Sequence, residues 1–214
     1  MPIHALNNTL WFPPVSQANE DGLLAMGGDL SIDRLLLAYK RGIFPWFEGD
    51  TPLWWCPDPR FVLYPNELRV SKSMQAVFKK RTFRFTMNQA FDQVINACKM
   101  QKRIAQDGTW ITDDLETSFN ELHKLGFAIS AEAWEGQNLV GGLYGIQMGK
   151  VFFGESMFSN SSNASKYAFI SLVNELIKQG ITIIDCQVYT AHLESLGARM
   201  IDRTDFIAHL EKHI

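Results

Sequence analysis

Three strand-like stretches, FAISAEAW, LVGGLYGIQ and VFFGESMF, lie end to end between residues 127 and 158. Only short turns part them, at Glu135-Gly136 and at Met148-Gly149-Lys150. Such connections can join antiparallel neighbours alone, because a parallel return needs about a dozen residues or more. The chain must therefore build a meander, and the rest has to pack around it. NASKYAFISLVNELIKQG follows and reads as a helix of about four turns. GITIIDCQVYT comes next, a strand apolar enough to be wholly buried, yet with Asp185 and Gln187 near its end. A short helix and a C-terminal helix from about Thr204 complete the chain.

Upstream of the meander, Ser71 is placed to cap a helix through Lys80, with Met74, Val77 and Phe78 inward. FRFT reads as a short strand. Asn88 is expected to cap a second helix, with Phe91, Val94, Ile95 and Cys98 inward. A polar loop, KMQKRIAQDGTW, precedes Thr112, which caps a third; Asp113 and Asp114 suit the N-terminal end of its dipole. The first 65 residues look different. They hold four of the six tryptophans, and FPWFEGDTPLWWCPDPRF is too apolar for a free loop and too broken for a helix or central strand. One helix stands out there, capped by Ser31, with Leu35 to Tyr39 apolar and Gly42 at its end.

This order of elements indicates α+β layers. It is the order of the acyl-CoA-dependent N-acetyltransferase fold, an analogy that concerns architecture and not function. The expectation is a GNAT-like C-terminal domain, residues 66–214, with a mixed, largely antiparallel sheet flanked by helices, beside a small N-terminal domain, residues 1–65.

No run approaches the ~18 apolar residues of a membrane span, and the N-terminus lacks the pattern of a signal peptide. A cytoplasmic protein without membrane contact is expected. Cys56, Cys98 and Cys186, like His4, His123, His192, His209 and His213, show no metal-ligand spacing. There is no P-loop. GGLYGIQMG lies inside a hairpin and opens no helix, so it fails as a dinucleotide motif. The glycine-rich signature that cradles CoA pyrophosphate is absent before the long helix, where SNSSNASK stands instead. Net charge is -3, but Arg69, Lys72, Lys79, Lys80, Arg81 and Arg84 form an island without a single acid, which leaves the remainder at -9. An island of that kind either steers a polyanion or is a solvated helix face.

Three constellations could carry chemistry. By strand alternation, Ile181, Ile183, Asp185 and Gln187 share one face. A carboxylate there is either functional or a structural group bonded to backbone amides or to basic residues of a neighbouring element. Glu155 sits in VFFGESMF, where it needs a ligand or an ion-pair partner, and Gly154 beside it suggests a bulge or a close backbone approach. Trp46 and Trp110 lie among glycines, prolines or polar loop residues, where they could stack on bases or simply pack between domains. Two readings stay open on these residues: an acyl-CoA-dependent N-acyltransferase, and an RNA-binding module without catalysis.

GLLAMGGDLSIDRLLLAYKRGIFPWF, LWWCPDPR, GTWIT, LVGGLYG, FFGESMFS, NASK and IDCQV, with SLGA after them, resemble the leucyl/phenylalanyl-tRNA–protein transferase family in that order and over nearly the whole chain. The resemblance implies an enzyme that joins leucine or phenylalanine, with methionine left open, from aminoacyl-tRNA to the α-amine of proteins beginning with Arg or Lys. The tagged protein is then degraded. It implies no metal, nucleotide or CoA cofactor, and a monomer acting on leucyl-tRNA and phenylalanyl-tRNA. It also implies that Asp185 and Gln187 hold the attacking amine and relay its proton, with Glu155 near the acceptor's first side chain. On that view Asp185→Ala abolishes transfer and leaves the fold intact. Leu143, Phe152, Gly154, Phe169, Leu172, Leu176 and Ile184 would bind the amino acid. Trp46 and Trp110 would meet the terminal adenosine, and Lys72, Lys79, Lys80, Arg81 and Arg84 the acceptor stem.

Overall fold

The computed structural model describes residues 3–101 and 110–214; most of the polar loop expected before Thr112 lies outside them. Two sheets form. The smaller is built from β1 (His4–Leu6), β2 (Leu23–Gly27), β3 (Phe44–Pro45) and β4 (Leu53–Trp55), in the order β1-β2-β4-β3. Its helix, α1 (Ile32–Lys40), begins where Ser31 Oγ accepts the Arg34 N–H. It stops before Gly42, whose φ of +73° favours glycine and whose α-carbon packs closely against Ile207, the side-chain end lying 2.7 Å from where a Cβ would stand.

The larger sheet contains β5 (Arg60–Leu63), β6 (Arg84–Met87), β7 (Ala128–Glu135), β8 (Asn138–Met148), β9 (Val151–Ser159), β10 (Ile183–Gln187) and β11 (Arg199–Ile201). Its order is β11-β5-β10-β9-β8-β7-β6. The expected meander is β7-β8-β9, and every pairing is antiparallel except that of β9 with β10. The helices are α2 (Lys72–Lys80), α3 (Phe91–Met100), α4 (Asp113–Lys124), α5 (Ala164–Lys178), α6 (Ala191–Glu194) and α7 (Arg203–His213). The mixed, largely antiparallel sheet flanked by helices is as expected. Arg60–Leu63, within the stretch expected to form the small domain, pair in the large sheet, between β10 and β11.

Ser71 and Thr112 cap α2 and α4 as the sequence predicts, accepting from Met74 N–H and Leu115 N–H. Asn88 does not cap α3. It takes a left-handed φ of +57°, which asparagine tolerates, and its Oδ1 accepts the Ser130 N–H of β7 at 2.9 Å. The amide serves the sheet edge, and α3 starts at Phe91 without a side-chain cap.

One core joins the small sheet, α1, α3, α4 and α7 to one face of the large sheet, through residues such as Leu24, Leu35, Trp54, Val94, Phe119, Phe153 and Phe206. The other lies between the opposite face and helices α2 and α5, with Phe61, Met74, Phe152, Phe169 and Leu172 among its members. Among the described residues no helix is long and apolar enough to cross a membrane.

Candidate active site

β9 and β10 run side by side only as far as Phe153 and Asp185. Each then bulges. On β9, Gly154 faces Gly145 and Ser156 faces Tyr144, so Glu155 is the extra residue. On β10, Asp185 faces Val62 and Gln187 faces Phe61, so Cys186 is extra, and Gln187 takes a φ of +64°. A bulge bends its strand and increases its twist. Two of them at neighbouring positions part the strand ends and open a cleft of about 380 Å³ beneath α5 and α6. Gly145 lets this happen: a Cβ there would stand 2.1 Å from the Phe153 carbonyl oxygen.

Leu143, Met157, Phe169, Ile184 and Leu193 form an apolar wall, and Glu155, Asp185, Gln187, Thr190 and His192 bring polar groups to the same space. Strict alternation fails across the bulge, because Asp185 and Gln187 oppose residues of different cores. They are nonetheless joined, since Asp185 Oδ1 accepts the Gln187 N–H at 2.9 Å. Gln187 Nε2 in turn donates to Glu155 Oε1 at 3.1 Å.

Asp185 is fully buried. Arg60 donates to both its oxygens, from Nε to Oδ1 and from Nη2 to Oδ2, each at 2.7 Å. The guanidinium lies between the rings of Phe44 and Phe206, 4.7 and 4.8 Å from their centroids. Burial works against its charge, but the Asp185 carboxylate prevails and raises its pKa. The structural alternative for Asp185 is therefore realised in the geometry, a basic partner and a backbone amide together. Removing Asp185 would strand a buried guanidinium, so Asp185→Ala is expected to cost stability as well as transfer.

Glu155 borders the cleft, but its Oε2 is sealed from solvent. Burial pushes its pKa up to about 8; Tyr39 and Gln187 pull it down, and the Asp185 charge adds to the rise. A carboxyl in this state changes charge close to neutral pH. His192 moves the other way, lowered by burial and by Lys166, so its ring stays neutral at pH 7, with Nε2 buried and unpartnered. Cys186 is held protonated by burial, which removes it as a nucleophile.

Of the residues singled out in the sequence, Leu143, Gly154, Glu155, Phe169, Ile184, Asp185 and Gln187 meet at the cleft. Phe152, Leu172 and Leu176 do not line it; they fill the core behind it, between sheet and α5. Trp46 is exposed, its ring 5.7 Å from that of Trp55. Trp110 is only 6% exposed and packs in the core with α3 and α4, so ordinary packing accounts for it. Lys72, Lys79, Lys80 and Arg81 are exposed on α2 and its C-cap, on the sheet face that carries the cleft's apolar wall, whereas Arg84 of β6 is exposed on the opposite face, since its neighbours Phe85 and Met87 take the α2/α5 side. Arg84 stacks its guanidinium on Trp134.

Sequence reasoning missed Arg60, Tyr39, Met157, His192 and Leu193. Arg60 had a signal, a lone cation before the apolar run FVL that needs an acid. Met157 had another, two positions from Glu155 on one strand. A second depression, of about 520 Å³, lies between the small sheet and α4 with Asp29, Asp50 and Asp114 on its walls, and holds none of the residues expected to bind or react with substrate.

Two family models match the chain: leucyl/phenylalanyl-tRNA protein transferase over residues 62–211, and the N-terminal domain of the same protein over residues 28–58. Among curated relatives, the leucyl/phenylalanyl-tRNA--protein transferase of Christiangramia forsetii is 56% identical, over 93% of this chain and 95% of its own. That of Flavobacterium johnsoniae is 54% identical, over 98% and 99%. Among solved structures, a GCN5-related N-acetyltransferase-like protein from Streptococcus suis superposes with a TM-score of 0.40 at 12% identity, covering 79% of this chain and 64% of that one. With family models across both parts and relatives above half identity along nearly its whole length, the chain belongs to the leucyl/phenylalanyl-tRNA protein transferase family of aminoacyltransferases.

Proposed function

We propose that this aminoacyltransferase moves leucine or phenylalanine from the 3′ end of a charged tRNA to the α-amine of proteins beginning with Arg or Lys, marking them for degradation, and that it does so in the cleft between β9 and β10. One observation carries the reading: the two bulges set an apolar wall and the hydrogen-bonded pair Glu155–Gln187 in a single opening. An aminoacyl ester of leucine or phenylalanine needs both. The wall takes the side chain and disfavours β-branched ones by shape, although one methylene discriminates by only about 1–3 kcal/mol.

The ester is already activated, and an α-amine with a pKa of ~7.7–8.0 is in good part neutral near pH 7. Its nitrogen attacks the carbonyl carbon, the C–N bond forms, the C–O3′ bond breaks, and the nitrogen's surplus proton ends on the departing tRNA hydroxyl. Positioning and charge stabilisation are the main demands. Gln187 has given Nε2 to Glu155, so its Oε1 is left to accept a hydrogen bond from the amine. Asp185 has no oxygen free of the protein; it fixes Gln187 through the backbone and acts by positioning. Glu155 meets the cationic side chain of the acceptor's first residue, and that cation favours its ionised form. Trp46 stacks on the terminal adenosine, and Lys72, Lys79, Lys80, Arg81 and Arg84 contact acceptor-stem phosphates, which gives little sequence discrimination. One chain holds the whole cleft, so a monomer suffices, and its charged-tRNA substrate puts the enzyme in the cytoplasm.

The test is radiolabelled leucyl-tRNA mixed with the protein and with peptides that begin with Arg, Lys or Met. Leucine is expected on the first two, and Gln187→Ala is expected to abolish that label in a folded protein. Equal labelling of the Met peptide would overturn the acceptor assignment, and full activity in Gln187→Ala would overturn the site.

A further inference from the structure

Tyr39 belongs to the small domain, yet its hydroxyl ends beside a side chain of the cleft. It is fully buried on α1, and its ring tilts against Phe153 of β9 with centroids 5.3 Å apart. Glu155 follows two residues later. Tyr39 Oη and Glu155 Oε2 are both sealed from solvent and make no hydrogen bond of full geometry, yet they lie near enough for each to perturb the other as a hydrogen-bonding neighbour. Burial and then the Glu155 charge raise the Tyr39 pKa, while Tyr39 opposes the rise that burial gives Glu155. Dehydrated polar atoms left unpaired are unfavourable. These two are complementary, a donor and an acceptor.

The other groups facing Glu155 are already committed. Gln187 of β10 donates to Oε1. Arg60 of β5 favours the ionised carboxyl by its charge but is bonded to Asp185, whose own charge opposes ionisation. Tyr144 of β8 acts on Tyr39; of the two phenols it is Tyr39 that bears on Glu155.

We propose that Tyr39 is a positioning residue for the transfer: its hydroxyl donates to Glu155 Oε2 when that carboxyl ionises, so the small domain sets the charge with which the cleft meets an acceptor. A phenol donating to a carboxylate is a short, charge-assisted bond, and it strengthens as the carboxyl loses its proton. The role in acceptor binding rests on the reading that Glu155 holds the acceptor's Arg or Lys.

Tyr39→Phe keeps the ring and its contact with Phe153 and removes only the donor. Carboxyl NMR titration of the free enzyme reads Glu155 directly. Its pKa is expected to rise in Tyr39→Phe by about one to two units, in a protein that remains folded by thermal melt. The KM for an Arg peptide is then followed from about pH 6 to pH 9 at saturating leucyl-tRNA. In the wild type it is expected to fall as Glu155 ionises, in Tyr39→Phe to fall at correspondingly higher pH, and in Glu155→Gln to lack that limb. An unmoved Glu155 pKa in Tyr39→Phe overturns the Tyr39 assignment whatever the kinetics. A raised pKa with a KM limb that survives Glu155→Gln upholds the Tyr39 bond and overturns the acceptor role of Glu155.

Discussion

Asp185 and Arg60 are both buried, and each neutralises the charge of the other. Breaking such a pair from one side costs about 3–5 kcal/mol, since the survivor keeps an uncompensated charge. Asp185→Ala is expected to lose stability on that scale in urea unfolding, and the double replacement Arg60→Met with Asp185→Leu to regain most of it. A stable single variant beside an unstable double one would show that the pair does not hold the fold. Glu155 makes a different prediction. Folding raises its pKa from 4.5 to about 8, so the folded state prefers it protonated. Its contribution is whole below about pH 4.5 and declines as pH rises toward about 8. Glu155→Gln, which cannot ionise, is expected to melt higher than wild type at about pH 8 and to show no such gain at about pH 5. A melting difference that stays constant with pH would disprove this. The polar residues of the cleft were legible in the sequence because Asp185, Gln187 and Glu155 interrupt apolar strands. His192 was not, because a four-residue helix shows no periodicity to stand out from.

At the scale of elements, the opening between β9 and β10 depends on where two strands slip by one residue. Gly145 is the position that lets β8 follow the β9 bulge. Gly145→Ala would drive a Cβ into the Phe153 carbonyl, and crowding of this kind destabilises by about 1–3 kcal/mol. The larger loss is expected in transfer, because Glu155 moves with the bulge; normal turnover in Gly145→Ala would show that the bulge does not set the site. Most elements could be read directly. Short turns fixed the meander, and Ser31, Ser71 and Thr112 mark helix starts that the structure keeps. The bulges could not. The phase slip at Cys186 is set by the register with β5, over a hundred residues earlier in the chain, and nothing in IDCQV itself announces it. Asn88 misleads for a related reason: its bond goes to Ser130, a residue distant in sequence that offers a free backbone N–H.

At the scale of the whole molecule, α2 and its C-cap present a basic surface. Lys72, Lys79 and Lys80 share the exposed side of α2, and none of the island's described residues from Lys72 to Arg84 forms an ion pair within 4 Å. Each phosphate contact contributes about 0.7–0.9 to the slope of log affinity against log salt. Replacing Lys79, Lys80 and Arg81 with glutamine is expected to flatten that slope for leucyl-tRNA by about two to three and to leave melting unchanged. An unaltered slope would return the island to a solvated face. The island was plain in the sequence because charge is counted without knowing the fold. The entry of Arg60 into the second sheet was not, because a proline-rich stretch hides it. The same arginine has one more consequence. Its stacking partners come from a strand near the start of the chain and from α7, so a version shortened by that helix would unroof the Arg60–Asp185 pair, one split into separately produced halves would part the two and leave a naked cation beneath the reaction chamber, and neither should assemble into a working enzyme.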